Sequence, residues 1–219
     1  LQLRTISSSW RKTISRLMEQ QWVRSEEQQS AQLNPVKGPA LLDKQRSAVD
    51  AIGKTLGNFH CHLLDGVTGS GKTEVYLCLI EQVLEQGGQA LLLVPEIGLT
   101  PQLLNRFKRR LGFEPVVTHS GLSEGQRLKA WAMAKSGLAR LVIGTLSALF
   151  LPMPELQLII LDEEHDASFK QQDGFRYSSR DVAVKRAAGL GVPVVLGTAT
   201  PSLETFKNEA CGRYGWGLT

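Results

Sequence analysis

Gly66-Val67-Thr68-Gly69-Ser70-Gly71-Lys72-Thr73 stands between the apolar run HCHLL and the helical pattern KTEVYLCLIEQVLEQ. The spacing G-x-x-x-x-G-K-T between a strand and a helix is that of a phosphate-binding loop. Glycines let the chain turn tightly and aim backbone N–H groups at phosphate oxygens. The helix N-terminus that follows adds its positive dipole end. On this reading Lys72 reaches the β- and γ-phosphates of ATP, and the Thr73 hydroxyl is a ligand for Mg²⁺. Val67, Thr68 and Ser70 complete the loop.

Further along, LQLIILDEEH supplies the complementary acids. Leu158, Ile159, Ile160 and Leu161 read as a buried strand, and Asp162 emerges at its C-terminal end. In open α/β sheets that is the end where ligands bind. Asp162 is read as a Mg²⁺ ligand, direct or through water, and Glu163 as the group that polarises the attacking water. Lys72, Asp162 and Glu163 are therefore the candidate catalytic residues.

Working outward, ALLLVP, PVVTHS, RLVIGT and VPVVLGTAT are short apolar strands with helical patterns between most of them. Continuous apolar strands alternating with helices predict a parallel sheet covered on both faces, hence an α/β fold. Hydrophobic residues make up 42% of the 219 residues, enough for a sizeable core, so disorder is not the expectation. A net charge of +4 suits a polyanionic partner but does not by itself establish one.

Cys61, Cys78 and Cys211 are odd in number and far apart, which indicates neither a disulfide framework nor a zinc site and fits a reduced, cytoplasmic setting. No apolar run is long enough to span a bilayer. His60 and His62 share a strand face beside Cys61, but a pair without a third ligand reads as plain strand composition.

The first thirty-odd residues differ in character. Trp10, Ile14, Leu17 and Met18 share one face of a predicted helix, and a short β-like WVRSEE follows. A helix with a basic face and then a strand resembles part of a winged-helix element; an amphipathic helix with a solvated face fits the same residues.

Taken together, GVTGSGKTEVY, VPEIGLTPQ, HSGL, DEEH, KQQDGFRYSSRD and GTATPSLET resemble the superfamily 2 DExH helicases. Within them, the match is to the bacterial primosomal replication-restart helicase family. The resemblance runs from about Asp43 to Phe206 and implies a RecA-like lobe. The division expected is 1–34, a partial winged-helix-like segment and linker; 35–206, the first ATP-binding lobe; and 207–219, a flexible or appended tail.

What the resemblance implies extends to single residues. Gln45 takes the place of a glutamine that reads adenine. Pro95, Thr100, Gln102 and Arg106 take places along a single-stranded DNA track. His165, Thr198 and Thr200 would link the γ-phosphate to that track. Phe169, Lys170, Phe175, Arg176 and Tyr177 match an aromatic-rich loop that senses single-stranded DNA, where rings stack on bases without demanding a sequence. The chain departs from the pattern at Leu146, where an arginine is common.

The resemblance also implies a 3′-to-5′ DNA helicase acting on single-stranded and forked DNA. Its implied partners are primosome proteins and single-stranded-DNA-binding protein, and its state a cytoplasmic monomer. A second lobe, and the family's zinc-binding cysteines, are expected outside these residues, so the chain by itself is expected to hydrolyse little ATP. A self-contained P-loop ATPase, or a non-catalytic DNA or protein docking module, are the other readings open to the sequence.

Overall fold

In a computed structural model, Val36 and residues 38–171, 176–210 and 215–218 are described. All lie in the second of the chain's two compact units, Gln32–Thr219. The partial winged-helix reading falls on residues outside this set.

The chain order is α1 (Asp43–Gly53), β1 (Cys61–Asp65), α2 (Lys72–Glu85), β2 (Gln89–Leu93) and α3 (Pro101–Leu111). Then come β3 (Val116–Thr118), α4 (Glu124–Lys135), β4 (Leu141–Gly144) and β5 (Leu156–Leu161). A small antiparallel pair, β6 (Lys170–Gln171) and β7 (Tyr177–Ser178), precedes α5 (Ser179–Leu190), β8 (Val194–Thr198), α6 (Leu203–Ala210) and β9 (Gly215–Leu218).

Among the described residues, seven strands form one sheet in the order β3-β4-β2-β5-β8-β1-β9, and every pairing in it is parallel. This is the doubly wound α/β arrangement that the alternation of apolar strands and helices predicts. The expectation of a tail over 207–219 needs correction in part. Gly215–Leu218 pair in register with His62–Asp65 and form the edge strand β9, while α6 runs on to Ala210. Glycines and the lack of periodicity hide such a strand, because backbone pairing to an exposed edge requires no apolar pattern.

The two faces of the sheet separate by the period of two along each strand. Leu63, Leu91, Leu93, Val142, Ile159, Leu161 and Leu196 share a buried cluster with Ala134 of α4 and Ala183 and Ala187 of α5. Their neighbours Leu64, Leu92, Ile160 and Val195 are equally buried, as are Val75, Leu79, Ile80 and Val83 along α2. Small residues on α4 and α5 let those helices lie close to the strands.

Register brings the chemistry together. Asp65 pairs with Thr198, and Leu161 with Leu196, so β1, β8 and β5 end side by side. The loops after these strands carry GVTGSGKT, GTATPS and DEEH respectively, and all three open on one edge of the sheet.

Candidate nucleotide site

The phosphate-binding loop is shaped by two left-handed glycines. Gly69 has φ 85° and Gly71, the N-cap of α2, has φ 89°. A Cβ on Gly71 would also collide with the amide nitrogen of Gln45. That amide donates to Ser70 O at 2.8 Å, and Gln45 Oε1 accepts from Leu42 N at 3.0 Å. Gln45 is thus a buried prop between α1 and the loop.

Lys72 is buried at the first position of α2, donates to Gly66 O at 2.7 Å and lies 3.6 Å from Glu163 Oε1. A cavity of about 270 Å³ is lined by Val67–Thr73, Arg106, Asp162 and Glu163. It brings seven residues of the phosphate-binding loop together with Asp162 and Glu163. Arg106, assigned by resemblance to a DNA track, also lines this cavity, and it pairs with Glu74 at 2.5 Å.

Asp162 receives a hydrogen bond from the buried Tyr76 hydroxyl, 2.9 Å to Oδ1. Burial pushes its carboxyl pKa above the ordinary aspartate value. The Tyr76 bond opposes that shift, Glu163 adds to it, and Lys72 opposes it. Tyr76 itself is pushed upward by burial and then by Asp162. Thr73 and Asp162 line one cavity, and a hydroxyl with a desolvated carboxylate is a donor set that suits Mg²⁺, whose charge would relieve the desolvation.

Glu163 has φ 52°, the positive value of a non-glycine residue among those described. Such a conformation costs on the order of 1–3 kcal/mol and persists only where surroundings enforce it. Here Glu164 N donates to Gly197 O at 3.0 Å and Asp166 N donates to Glu163 O at 2.8 Å. The turn sends successive acids in different directions. Glu163 reaches Lys72 and, through Oε2, His165 Nδ1 at 3.7 Å.

Glu164 is buried among other partners. It accepts from Ser202 N at 2.8 Å, Thr205 Oγ1 at 3.0 Å and Ser202 Oγ at 3.2 Å, with Arg180 Nη1 at 3.7 Å. This cluster was not singled out in the sequence. Its signal was the SSRD and PSLET ends of two quoted motifs, hydroxyl residues beside an arginine, which have no meaning until the loops meet.

The three coupling candidates do meet. His165 Nδ1 lies 2.9 Å from Thr198 Oγ1, which accepts from Thr200 N at 3.1 Å.

Residues 43–208 match the description of the DEAD/DEAH box helicases. The chain belongs to that family. Two replication restart proteins named PriA are similar to this helicase segment. That of Haemophilus influenzae is 52% identical over 173 residues, covering 79% of this chain and 24% of the relative. That of Bacillus subtilis is 49% identical over 176 residues, covering 80% and 22%. The chain therefore spans about a quarter of the length of the curated relatives it matches.

Among solved structures, RecG bound to a three-way DNA junction aligns with TM-score 0.59 at 22% identity, over 83% of this chain and 24% of that one. The Hef helicase domain of Pyrococcus furiosus aligns with TM-score 0.56 at 22% identity, over 80% and 37%. The likeness establishes a RecA-like fold for this helicase lobe, and the family resemblance read from the motifs stands.

The nucleic-acid candidates divide. Pro95 is buried, and Thr100 caps α3 by accepting from Leu103 N at 3.2 Å. Gln102 is exposed on α3. Phe169 is 2% exposed and belongs to the core cluster, so its ring cannot stack on a base; that assignment is corrected. Its apolar side chain looks the same in sequence whether it faces bases or the sheet. Lys170 and Arg176 are exposed, and Tyr177 packs edge-on against the 59% exposed Phe150 at 5.5 Å between centroids. Phe175 lies outside the described residues. Sequence reading passed over Phe150 and the 85% exposed Ile97, the latter within the quoted VPEIGLTPQ.

Elsewhere, no group of three or more His, Cys, Asp or Glu among the described residues could hold a metal ion. No helix among them is long and apolar enough to cross a membrane.

Proposed function

We propose that this lobe binds ATP·Mg²⁺ and, within the full-length protein, couples hydrolysis to 3′-to-5′ movement along single-stranded DNA at forks undergoing replication restart. The observation that supports this best is the continuous chain Lys72–Glu163–His165–Thr198–Thr200, which links the phosphate-binding loop to the loop after β8.

In this reading Lys72 neutralises the β- and γ-phosphates, and Thr73 with Asp162 would hold Mg²⁺, which supplies further neutralisation of developing phosphate charge. Glu163 orients the attacking water and accepts its proton. His165, Thr198 and Thr200 change hydrogen bonding when the γ-phosphate leaves, and the strand-end loops carry that change to the DNA face. Lys170 and Arg176 meet phosphates there, while Tyr177 and Phe150 offer rings to bases. Thr100 lies along the same edge.

Forked DNA, primosome proteins and single-stranded-DNA-binding protein as partners, a cytoplasmic location and a monomeric state belong to the same reading and rest on the family resemblance of the motifs. Zinc is assigned to portions of the full-length protein outside the described residues.

The test is steady-state ATP hydrolysis by the full-length protein with and without single-stranded DNA. DNA-stimulated turnover that falls about 10²-fold or more in Glu163→Gln, with nucleotide binding retained, supports the motor. Turnover indifferent to DNA would favour a self-contained ATPase, and unchanged turnover in Glu163→Gln would remove the assigned role.

A further inference from the structure

Tyr76 is buried on α2, yet its hydroxyl reaches the end of β5 and donates to Asp162 Oδ1 at 2.9 Å. A buried tyrosine hydroxyl needs a partner, and the partner here is the carboxylate assigned to Mg²⁺. Room for the bond exists because position 197 has no side chain. A Cβ on Gly197 would overlap the Tyr76 hydroxyl and stand 3.3 Å from Asp162 Oδ1.

The backbone around this pair is fixed. Asp162 N donates to Leu93 O at 2.9 Å, and Glu164 N donates to Gly197 O at 3.0 Å. Backbone bonds leave the rotation of the Asp162 carboxylate open, and the Tyr76 hydroxyl restrains it.

Tyr76 also shares α2 with Thr73, three residues earlier, and side chains at that spacing project from one side of a helix. Val75, Leu79, Ile80 and Val83 are fully buried along the same helix and hold it in place. A single bond therefore ties the Asp162 carboxylate to the helix that carries the Thr73 hydroxyl, and both groups line the loop cavity.

Divalent ions differ in the freedom they accept. Mg²⁺ demands near-octahedral geometry with oxygens at about 2.0–2.1 Å, whereas Ca²⁺ takes oxygens at about 2.3–2.6 Å in flexible arrangements. A carboxylate held at one position beside a held hydroxyl favours the smaller ion. One free to swing accommodates the larger.

We propose that Tyr76 is a positioning residue that sets the divalent-ion preference of the nucleotide site, its hydroxyl holding Asp162 relative to Thr73. This rests on the ATP·Mg²⁺ reading above and adds what selects the ion.

The test is ADP binding to the full-length protein, titrated with Mg²⁺ and separately with Ca²⁺. Tyr76→Phe keeps the ring and removes the hydroxyl. The Mg²⁺ concentration for half-maximal ADP binding should rise about tenfold, a loss typical of removing a hydrogen bond that orients a metal ligand. The Ca²⁺ requirement should move much less. Tyr76→Phe combined with Gly197→Ala should fold better than Gly197→Ala alone and still show the raised Mg²⁺ requirement. Val83→Ala loosens the same helix without touching the bond and should leave the ratio of the two requirements unchanged.

An unchanged Mg²⁺ requirement in Tyr76→Phe, or equal shifts for Mg²⁺ and Ca²⁺, would overturn the proposal. So would a ratio that moves as far in Val83→Ala, since packing of α2 would then account for it. ADP binding by the unmodified protein that is indifferent to divalent ions would overturn the ATP·Mg²⁺ reading itself, a result obtained before any variant is compared.

Discussion

Glu164 and Arg180 form a buried ion pair at 3.7 Å, with side chains 0% and 12% exposed, inside a shell of Ser202 and Thr205 hydroxyls. The pair ties the turn that carries Glu163 to the start of α5 and the start of α6. Removing one partner from such a pair leaves a buried charge uncompensated, which costs about 3–5 kcal/mol. Glu164→Ala is therefore expected to destabilise the lobe by that amount in urea denaturation. Glu164→Gln keeps one acceptor oxygen for Ser202 N, and its amide N–H can donate to the Ser202 and Thr205 hydroxyls, so it should cost less than the alanine variant. Equal losses for the two variants would show that the hydrogen bonds contribute little.

Gly197 allows Tyr76 to reach Asp162. A Cβ there would overlap the Tyr76 hydroxyl and press on Asp162 Oδ1. Gly197→Ala should cost about 1–3 kcal/mol by overpacking and weaken Mg²⁺-dependent nucleotide binding. Tyr76→Phe removes the colliding oxygen, so the double variant should recover part of that stability. Simple additivity in a thermal-denaturation cycle would mean that the clash is relieved elsewhere.

His62, on β1, shares a 2.9 Å hydrogen bond with Thr55 Oγ1. Burial, and then His60, lower its pKa from 6.5 to about 4. A folded-state pKa below the unfolded one means stability that is complete above pH 6.5 and is lost as pH falls toward 4. The loss amounts to about 3 kcal/mol at most. Thermal denaturation followed between those pH values should show the decline, and His62→Gln should flatten it. An unchanged slope in the variant would assign the decline to other groups.

Phe169 and Tyr177 were read alike in sequence but should behave differently on mutation. Phe169→Ala opens the core and is expected to cost about 3–5 kcal/mol. Tyr177→Ala, half-buried against Phe150, should leave the melting temperature nearly unchanged while weakening single-stranded DNA binding several-fold. A fluorescence-anisotropy titration beside a melting curve separates the two. DNA affinity indifferent to Tyr177→Ala would remove that ring from the proposed track.

Sequence by itself determined the fold class and the core of the site. Apolar strands alternating with helices leave a parallel sheet as the way to bury both faces, and GVTGSGKT and DEEH announce their chemistry locally because glycine torsions and acid placement are properties of short stretches. Tertiary structure decided the rest. Whether Phe169 faces a base or the core and whether residues 215–218 hang free or extend the sheet depend on which surfaces meet. So does the role of Glu164. Its neighbours Arg180, Ser202 and Thr205 become partners only when the ends of β5 and β8 are brought side by side. Burial and hydrogen bonding across such distances are set by packing, which no local pattern of residue types records.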